Sequence, residues 1–238
     1  MAATAPIGQA PRSDTQLRLL EVAERLFARH GIDAISLNRI RTEAKSRNSS
    51  ALHYHFGSKT ALIEAILAHR MSAINARRHS LLAALKSDEL DQRVRSLVRA
   101  LVIPFAEQMA GRADEGNPSG ERSYIQFVAR VYSHPDHSVA SLLYHRNASG
   151  LRQAIASLRE QLSHLPEPLR DQRIGLLLSL CIHALADLER SITSDRGRDQ
   201  AIDQDDFVSG LIDMAVAGLM APINGRSISS PKTDRQRS

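Results

Sequence analysis

The sequence predicts an all-helical protein in which an N-terminal three-helix helix-turn-helix domain is joined to a larger helical domain. Two observations predict the helical class. Only 12 glycines and 9 prolines interrupt 238 residues, and the chain is rich in leucine, alanine and arginine but poor in the strand-forming residues valine and threonine. Apolar residues also recur at spacings of three and four, the period of an amphipathic helix. About nine helices are expected.

Composition excludes several classes of protein. Hydrophobic residues make up 42% and charged residues 24%, which is ordinary for a chain that buries a core. There is no run of about 18 apolar residues, so no transmembrane helix is expected. Residues 1–14 lack the apolar segment of a secretory signal, and the single cysteine, Cys181, excludes an internal disulfide. Together these features predict a cytoplasmic protein.

Caps and breakers define the first elements. Residues 1–12 are small and polar and are predicted to form a disordered arm. A polar residue at 13–15 can cap a first helix, which Gly31 ends, because glycine readily adopts the left-handed conformation after a helix C-terminus. Ser36 is the cap candidate for a second, short helix that extends to about Ala44.

The same signals define the remaining elements. A polar break at 45–48 precedes a third short helix at about 48–55, and Ser58 caps a fourth helix. Further helices are predicted at about 90–110, 121–132, 137–162 with a possible break at 147–150, 166–192 and 205–220. The polar segments 111–120 and 194–204 are predicted loops, and the tail 223–238 is predicted to be disordered.

Positive charge is concentrated at the N-terminus. Residues 1–60 hold nine basic and five acidic side chains, a surplus of four in a chain whose net charge is +5. This asymmetry indicates a polyanionic partner, either nucleic acid or an acidic membrane surface, with a solvated basic face as the alternative.

The order of helix, short helix, polar turn and short helix is the layout of a helix-turn-helix motif. The last of these helices must be polar on the side that enters the major groove and must be anchored from behind by small and apolar side chains. The polar side is predicted to be Asn48, Ser49, Ser50 and His53, and the anchor Ala44, Ala51, Leu52 and Phe56.

The segment 17–67 resembles the N-terminal domain of the TetR family of transcriptional regulators. The matching residues are Leu26, Phe27, Gly31, Ser36, Ile40, Ala44, Leu52, Tyr54, His55, Phe56, Gly57, Ser58, Lys59 and Leu62. The resemblance implies a DNA-binding domain over 13–60 and an effector-binding and dimerisation domain over 61–222. The later part of the chain matches the family only in its length and helical layout.

The resemblance also implies roles for single residues. Ser36 and Lys59 would contact backbone phosphates, and Arg47, Asn48, Ser49 and Ser50 would reach base edges or nearby phosphates, while His53, Tyr54 and His55 would pack against and hydrogen-bond the DNA backbone. Tyr54 could instead be half-buried packing, and His55 could cap the third helix.

Two residues depart from the family pattern in the turn. Lys45 stands where glycine is usual, and Ser46 stands where a larger or apolar residue is common. A lysine at positive φ costs about 1 kcal/mol, but it also adds a charge near the DNA. These departures are the support for the alternative that the protein is a helical ligand-binding or interaction protein that does not bind DNA.

The last two helices carry the predicted dimer interface. The eighth helix has a heptad-like seam, and the ninth is apolar with small residues that allow close approach. The predicted interface residues are Ile174, Leu178, Cys181, Leu185, Leu188, Val208, Leu211 and Ala215. Such helices from two chains would form a four-helix interface that resembles the TetR dimer. The alternative is that both helices form the core of a monomer.

The resemblance further implies an effector pocket enclosed by the fourth to eighth helices. The larger candidates for its wall are Phe105, Met109, Tyr124, Phe127, Tyr132, Tyr144 and His145, although residues of these types are more often plain core than ligand contacts. Since aromatic residues are only 4% of the chain, an aliphatic pocket is expected rather than one built on aromatic stacking.

No catalytic or metal-binding motif is present. His134 and His137 have a possible ligand spacing, but no second pair completes a zinc site, and no cofactor is expected. There is no phosphate-binding loop and no hydrolase motif, and Cys181 lies between apolar neighbours that make a thiol inert. An enzyme on a helical bundle is therefore the weakest interpretation. The sequence predicts a homodimeric, ligand-responsive DNA-binding regulator, which by family habit is a repressor.

Overall fold

A computed structural model describes residues 14–45, 56–85, 89–110, 123–144, 148–193 and 203–223. Over these ranges the chain forms nine α-helices and one 3₁₀ turn, with no strand, which confirms the all-helical fold class. The helices are α1 (Asp14–His30), α2 (Leu37–Glu43), α3 (Lys59–Ala83), α4 (Leu90–Ala110), α5 (Tyr124–Tyr132), α6 (His137–Ser141), α7 (Ser149–Gln161), α8 (Glu167–Thr193) and α9 (Gln204–Met220). The predicted third helix at 48–55, the arm 1–12, the loop 111–120 and the tail beyond Ile223 lie outside the described residues.

The predicted caps Gly31, Ser36 and Ser58 are confirmed. Gly31 follows α1 with φ +85°, and its N–H donates to the carbonyl of Phe27 at 2.9 Å. The hydroxyl oxygens of Ser36 and Ser58 accept hydrogen bonds from backbone N–H groups in the first turns of α2 and α3. Each cap satisfies a backbone group that the helix itself leaves without a partner.

The predicted seventh helix is divided in the structure. It consists of α6, a 3₁₀ turn at Leu142–Tyr144 and then α7, so the helix is interrupted as predicted but earlier than at 147–150, because Ser149 and Gly150 already belong to α7. Gly150, in the first turn of α7, lies against α3, because a Cβ added to it would be 3.1 Å from the Cδ of Arg78 and from the Oδ1 of Asn75. A side chain at this position would therefore require Arg78 and Asn75 to shift.

The described residues form two hydrophobic cores. The first is formed by α1, α2, the N-terminal half of α3 and parts of α5 and α6, and the second by α4, α7, α8, α9 and the end of α3. The 25-residue helix α3 therefore extends from one core into the other. The first core continues well past residue 60, the predicted end of the DNA-binding domain, so packing joins the two predicted domains.

The helix α5 lies between the two cores and contributes to both. Tyr124, Phe127 and Val131 belong to the first core, whereas Ile125 and Ala129 belong to the second. None of the helices in the described ranges is long and apolar enough to cross a membrane.

Candidate nucleic-acid interface and central cavity

Ser36 lies where the second helix of a helix-turn-helix motif begins. It is exposed, has extended backbone angles, and accepts a hydrogen bond from the N–H of Arg39 at 3.2 Å. Because this bond uses a lone pair of the hydroxyl oxygen, the hydroxyl hydrogen remains available to donate to a phosphate. The geometry is compatible with the predicted phosphate contact, which stays a prediction.

Lys45 occupies the turn after α2 in the left-handed conformation, with φ +51°. Its N–H donates to the carbonyl of Thr42 at 3.1 Å, which closes the end of the helix, and its side chain is exposed. The turn therefore keeps the backbone shape that glycine would adopt without strain. The left-handed conformation of a lysine costs about 1 kcal/mol relative to glycine. In return, the side chain of Lys45 places an exposed positive charge next to the segment that follows.

Lys59 is held within the protein more firmly than the sequence predicts. Its Nζ donates to the carbonyl of Ile32 at 3.0 Å and lies 3.4 Å from the carbonyl of Asp33, so it fastens the α1–α2 turn to the start of α3. An ammonium group has three donors, and the remaining one can still reach a phosphate. The predicted phosphate contact stays a prediction, and the side chain has a structural role besides.

The other predicted DNA contacts fall between Lys45 and Phe56. Arg47, Asn48, Ser49, Ser50, His53, Tyr54 and His55 all lie outside the described residues. Both flanks of this segment are anchored, because Ala44 is buried and Phe56 packs against the first core.

The helix α5 connects the first core to the rest of the chain through α1. At the start of α5, the Ser123 hydroxyl donates to the Glu24 carboxylate at 3.3 Å. The Phe127 ring stacks on the ring of Phe27, with 6.1 Å between the ring centres. Arg130 donates to the carbonyl of Ala28 at 3.3 Å. Positions 123, 127 and 130 follow the helical spacing of four and three, so a single face of α5 lies along α1.

The opposite face of α5 borders a cavity. Ile125, Val128 and Tyr132 line it, and these positions are rotated by roughly half a turn from the face that meets α1 at about 100° per residue. The empty space at this site, counted together with its part that is open to solvent, is about 620 Å³. Its other walls come from α3, α4, α7, α8 and the 3₁₀ turn: Met71, Arg78, Leu101, Phe105, Leu143, Tyr144, Leu151, Leu177, Leu178, Cys181, Ile182 and Leu185.

The structure brings together only some of the predicted pocket residues. Phe105, Tyr132 and Tyr144 line the cavity. Met109, Tyr124 and Phe127 are buried in the cores and do not line it, which corrects the prediction for these three, and His145 lies outside the described residues. The walls are mainly aliphatic. Burial raises the pKa of the Tyr144 phenol and, despite a hydrogen bond to Ser179, that of Tyr132.

Two buried carboxylates join separate helices. Glu24 of α1 is paired with Arg70 of α3 at 3.1 Å, and burial nevertheless raises the pKa of its carboxyl. Glu189 of α8 accepts from the N–H groups of Ile125 at 3.3 Å and Gln126 at 2.8 Å, so it caps the N-terminus of α5. Burial raises the pKa of Glu189 to about 7.

The sequence interpretation missed these charged residues, although a signal exists for each. Glu24 follows Leu20 by four residues and precedes Phe27 by three, so it lies on the apolar face of α1. Glu189 follows Leu185 by four residues and lies on a buried face of α8. A charge at a core position of an amphipathic helix is rarely buried without a partner. Such a position therefore indicates a specific contact with another element.

Comparison with protein families assigns both parts of the chain. Residues 19–66 match the model for bacterial regulatory proteins of the tetR family, and residues 99–218, half of the chain, match the model for a tetracyclin repressor-like C-terminal domain. The chain belongs to the TetR family of transcriptional regulators. Comparison with curated proteins gives no match.

Solved structures of TetR regulators share the fold. A protein assigned to the tetR family from Shewanella sp. PV-4 is 20% identical with a TM-score of 0.51, over 86% of this chain and 96% of that one. A TetR-family transcriptional regulator from Streptomyces coelicolor is 20% identical with a TM-score of 0.50, over 87% and 95%. GusR from Salmonella enterica is 20% identical with a TM-score of 0.50, over 89% and 97%.

TetR regulators are DNA-binding transcription factors and not enzymes, and they form dimers on operator DNA.

Among the described residues, no group of three or more His, Cys, Asp or Glu side chains could hold a metal ion. His134, one of the histidines weighed as a ligand, lies 3.3 Å from the carboxylate of Asp33. Burial raises the pKa of the Cys181 thiol to about 12, so the thiol is unreactive at neutral pH.

The predicted dimer residues require correction. Seven of the eight are buried within the chain's own core: Ile174, Cys181, Leu185, Leu188, Val208, Leu211 and Ala215. The eighth, Leu178, lines the cavity. Both helices are apolar on more than one side, and the heptad-like seam coincides with the face that packs inward, so these residues offer no surface to a second chain.

A different stripe of α8 and α9 is exposed and apolar. Leu176 is 63% exposed and Leu180 lies one turn further along α8. On α9, Met214 is 65% exposed and lies one turn from Gly210 and from Gly218, where an added Cβ would meet nothing within 4 Å. Small residues beside exposed apolar side chains let two helices approach each other closely.

Proposed function

We propose that this TetR regulator is a ligand-responsive repressor, in which a small molecule bound in the central cavity releases the dimer from its operator. One observation carries the proposal. The helix α5 forms a wall of the cavity with one face and packs on α1, in the DNA-binding part of the chain, with the opposite face. A regulator of this kind acts in the cytoplasm, where bacterial DNA lies.

DNA recognition rests on the segment between Lys45 and Phe56. In this proposal, Arg47, Asn48, Ser49 and Ser50 read base edges in the major groove, and Ser36, Lys45 and Lys59 contact phosphates on either side. The α1–α2 turn is fixed from two sides, by Lys59 and by the pair of Asp33 with His134. In this proposal the recognition segment moves together with α1.

Dimerisation sets the distance between two such segments. We assign the interface to the exposed stripe of Leu176 and Leu180 on α8 and of Met214 with its neighbouring glycines on α9. In a dimer with two-fold symmetry this stripe would pack against itself. The two recognition segments would then meet half-sites of a pseudo-palindrome about 34 Å apart, one turn of the double helix.

The effector acts through differential affinity for two arrangements of the dimer. A molecule that fills the cavity pushes on Ile125, Val128 and Tyr132 and thereby displaces α5. Because α5 is bound to α1 through Phe127, Arg130 and Ser123, α1 moves with it. The ligand shifts the equilibrium only as far as it binds the released arrangement more tightly.

The test is an anisotropy titration of the full-length dimer against the DNA upstream of its own gene, with random DNA as the control, at two salt concentrations. Selective and salt-sensitive binding supports the proposal. In Asn48→Ala, we expect a loss of about 1–3 kcal/mol on the selected site and little change on random DNA. Equal losses on both DNAs would contradict a base-reading role, and no selectivity for any genomic fragment in a pull-down would overturn the proposed function.

A further inference from the structure

Arg78 is the one charged side chain among the described residues that line the cavity. It is only 1% exposed, and its Nη2 atom has no hydrogen-bond partner. Its Nε donates to the carbonyl of Ala100 at 3.1 Å, and its Nη1 lies 3.4 Å from the Oδ1 of Asn75. The guanidinium also lies 5.5 Å from the centre of the Phe105 ring. None of these partners is a carboxylate.

The guanidinium is held in place by features of three helices. Pro104 lies inside α4 and has no N–H, so it leaves the carbonyl of Ala100, four residues earlier, without its helical partner. That carbonyl is the one that accepts from Arg78. On the opposite side, Gly150 of α7 packs against the aliphatic stem of Arg78. The fold thus fixes the position of the side chain at the wall of the cavity.

The electrostatic situation of Arg78 is unfavourable without a further partner. Burial lowers the pKa of its guanidinium to about 10, which still leaves it protonated at neutral pH. A buried cation is strongly destabilising unless an anion and hydrogen bonds compensate it. Arg70, about two turns earlier in α3 and only partly buried, pairs with the Glu24 carboxylate, whereas the hydrogen bonds of Arg78 go to a carbonyl and an amide oxygen.

We propose that the effector is an apolar carboxylate, whose carboxylate group pairs with the Nη2 side of Arg78 and whose hydrocarbon body fills the aliphatic cavity. This inference rests on the proposed function, since it takes the cavity as the effector site. The unpartnered Nη2 can donate to a carboxylate oxygen, and a hydrogen bond between a charged donor and a charged acceptor is about twice as strong as a neutral one. Leu101, Ile182 and Leu185 are among the side chains that would contact the hydrocarbon.

The first experiment compares ligands of similar shape that differ in charge. The full-length dimer is titrated by calorimetry with octanoate, decanoate, dodecanoate and tetradecanoate, each below its micelle concentration, and with the methyl ester of each. We expect at least one carboxylate to bind about 10- to 100-fold more tightly than its ester, the range for a hydrogen bond to a charged group. Esters that bind as tightly as the carboxylates, or a complete absence of carboxylate binding, would overturn the inference.

The second experiment tests whether Arg78 is the residue that recognises the carboxylate. Arg78→Met keeps a long apolar side chain and should remove the preference for carboxylate over ester. Arg77→Met is the matched control, because Arg77 is the adjacent residue of α3 but is exposed and paired with Glu107. An unchanged preference in Arg78→Met would overturn the inference. If Arg78→Met does not fold, Arg78→Lys is used instead. Lysine retains the positive charge but lacks the planar, forked donor group of a guanidinium. The affinities of this variant for carboxylate and ester are compared in the same way.

Failure of this inference is distinguishable from failure of the proposed function. The same carboxylates are added to the complex of the dimer with its operator. If a carboxylate binds through Arg78 but leaves the complex intact, the inference holds and the ligand-responsive function fails. If uncharged molecules bind in the cavity and release the DNA while carboxylates do not bind, the inference fails and the function holds.

Discussion

Replacing Glu189 with glutamine should remove a large part of the pH dependence of unfolding between pH 5 and 8. Glu189 is 1% exposed and caps α5 through the N–H groups of Ile125 and Gln126. Burial raises the pKa of its carboxyl from 4.5 to about 7, because the two hydrogen bonds compensate only part of the lost hydration.

The sign of the effect follows from proton uptake. Between pH 4.5 and about 7 the folded protein binds a proton at Glu189 that the unfolded chain has already released. The contribution of this group to stability is therefore complete below pH 4.5 and declines as the pH rises to about 7. At 1.36 kcal/mol for each unit, the free energy of unfolding should fall by about 2 to 3 kcal/mol from pH 5 to pH 8 through this residue alone.

Urea denaturation at pH 5, 6, 7 and 8 measures this contribution. The difference between wild type and Glu189→Gln isolates it, because Glu24, whose pKa burial also raises in the wild type, is present in both proteins. Glu160→Gln, at an exposed position of α7, is the control for a change of net charge. Parallel profiles for wild type and Glu189→Gln would refute the reasoning, since the buried carboxyl would then have the same proton affinity in the folded and unfolded chains.

Three further predictions concern the turn, the helix α5 and the dimer. Lys45→Gly should relieve a left-handed lysine, with a gain of up to about 1 kcal/mol in urea denaturation, while it lowers the salt slope of DNA binding by about one. An unchanged slope would remove Lys45 from the phosphate contacts. Phe127→Leu should lower the free energy of unfolding by about 1 to 2 kcal/mol, because the stack on Phe27 is lost; unchanged denaturation would contradict that packing. The pair Leu176→Asp and Met214→Asp should weaken the dimer by about 4 kcal/mol or more, and sedimentation that still shows only dimer would exclude this stripe as the interface.

Caps were the most accurately predicted features, since they depend on a few neighbouring residues. Gly31, Ser36 and Ser58 end or begin helices where their chemistry predicts. Lys45 adopts the positive φ that its place in the turn implies. In each case the hydrogen bond that decides the conformation joins residues close together in the chain.

The faces of helices were predicted less well. Periodicity shows that α8 and α9 are apolar, but Ile174, Leu185 and Leu211 face the chain's own core, and Leu176 and Met214 are exposed. A helix that is apolar on several sides has no single moment from which its buried face can be read. Which stripe packs inward is decided by where the other helices lie.

The sequence by itself determined the helical class, the family and the local caps, because these depend on composition, on spacing and on short-range hydrogen bonds. Only the tertiary structure decided that Pro104 frees the carbonyl that holds Arg78 and that Glu189 caps a helix more than sixty residues away. It also decided that α5 borders a cavity on one face and α1 on the other. Contacts between distant parts of the chain depend on how helices pack, and packing is a property of all the helices together.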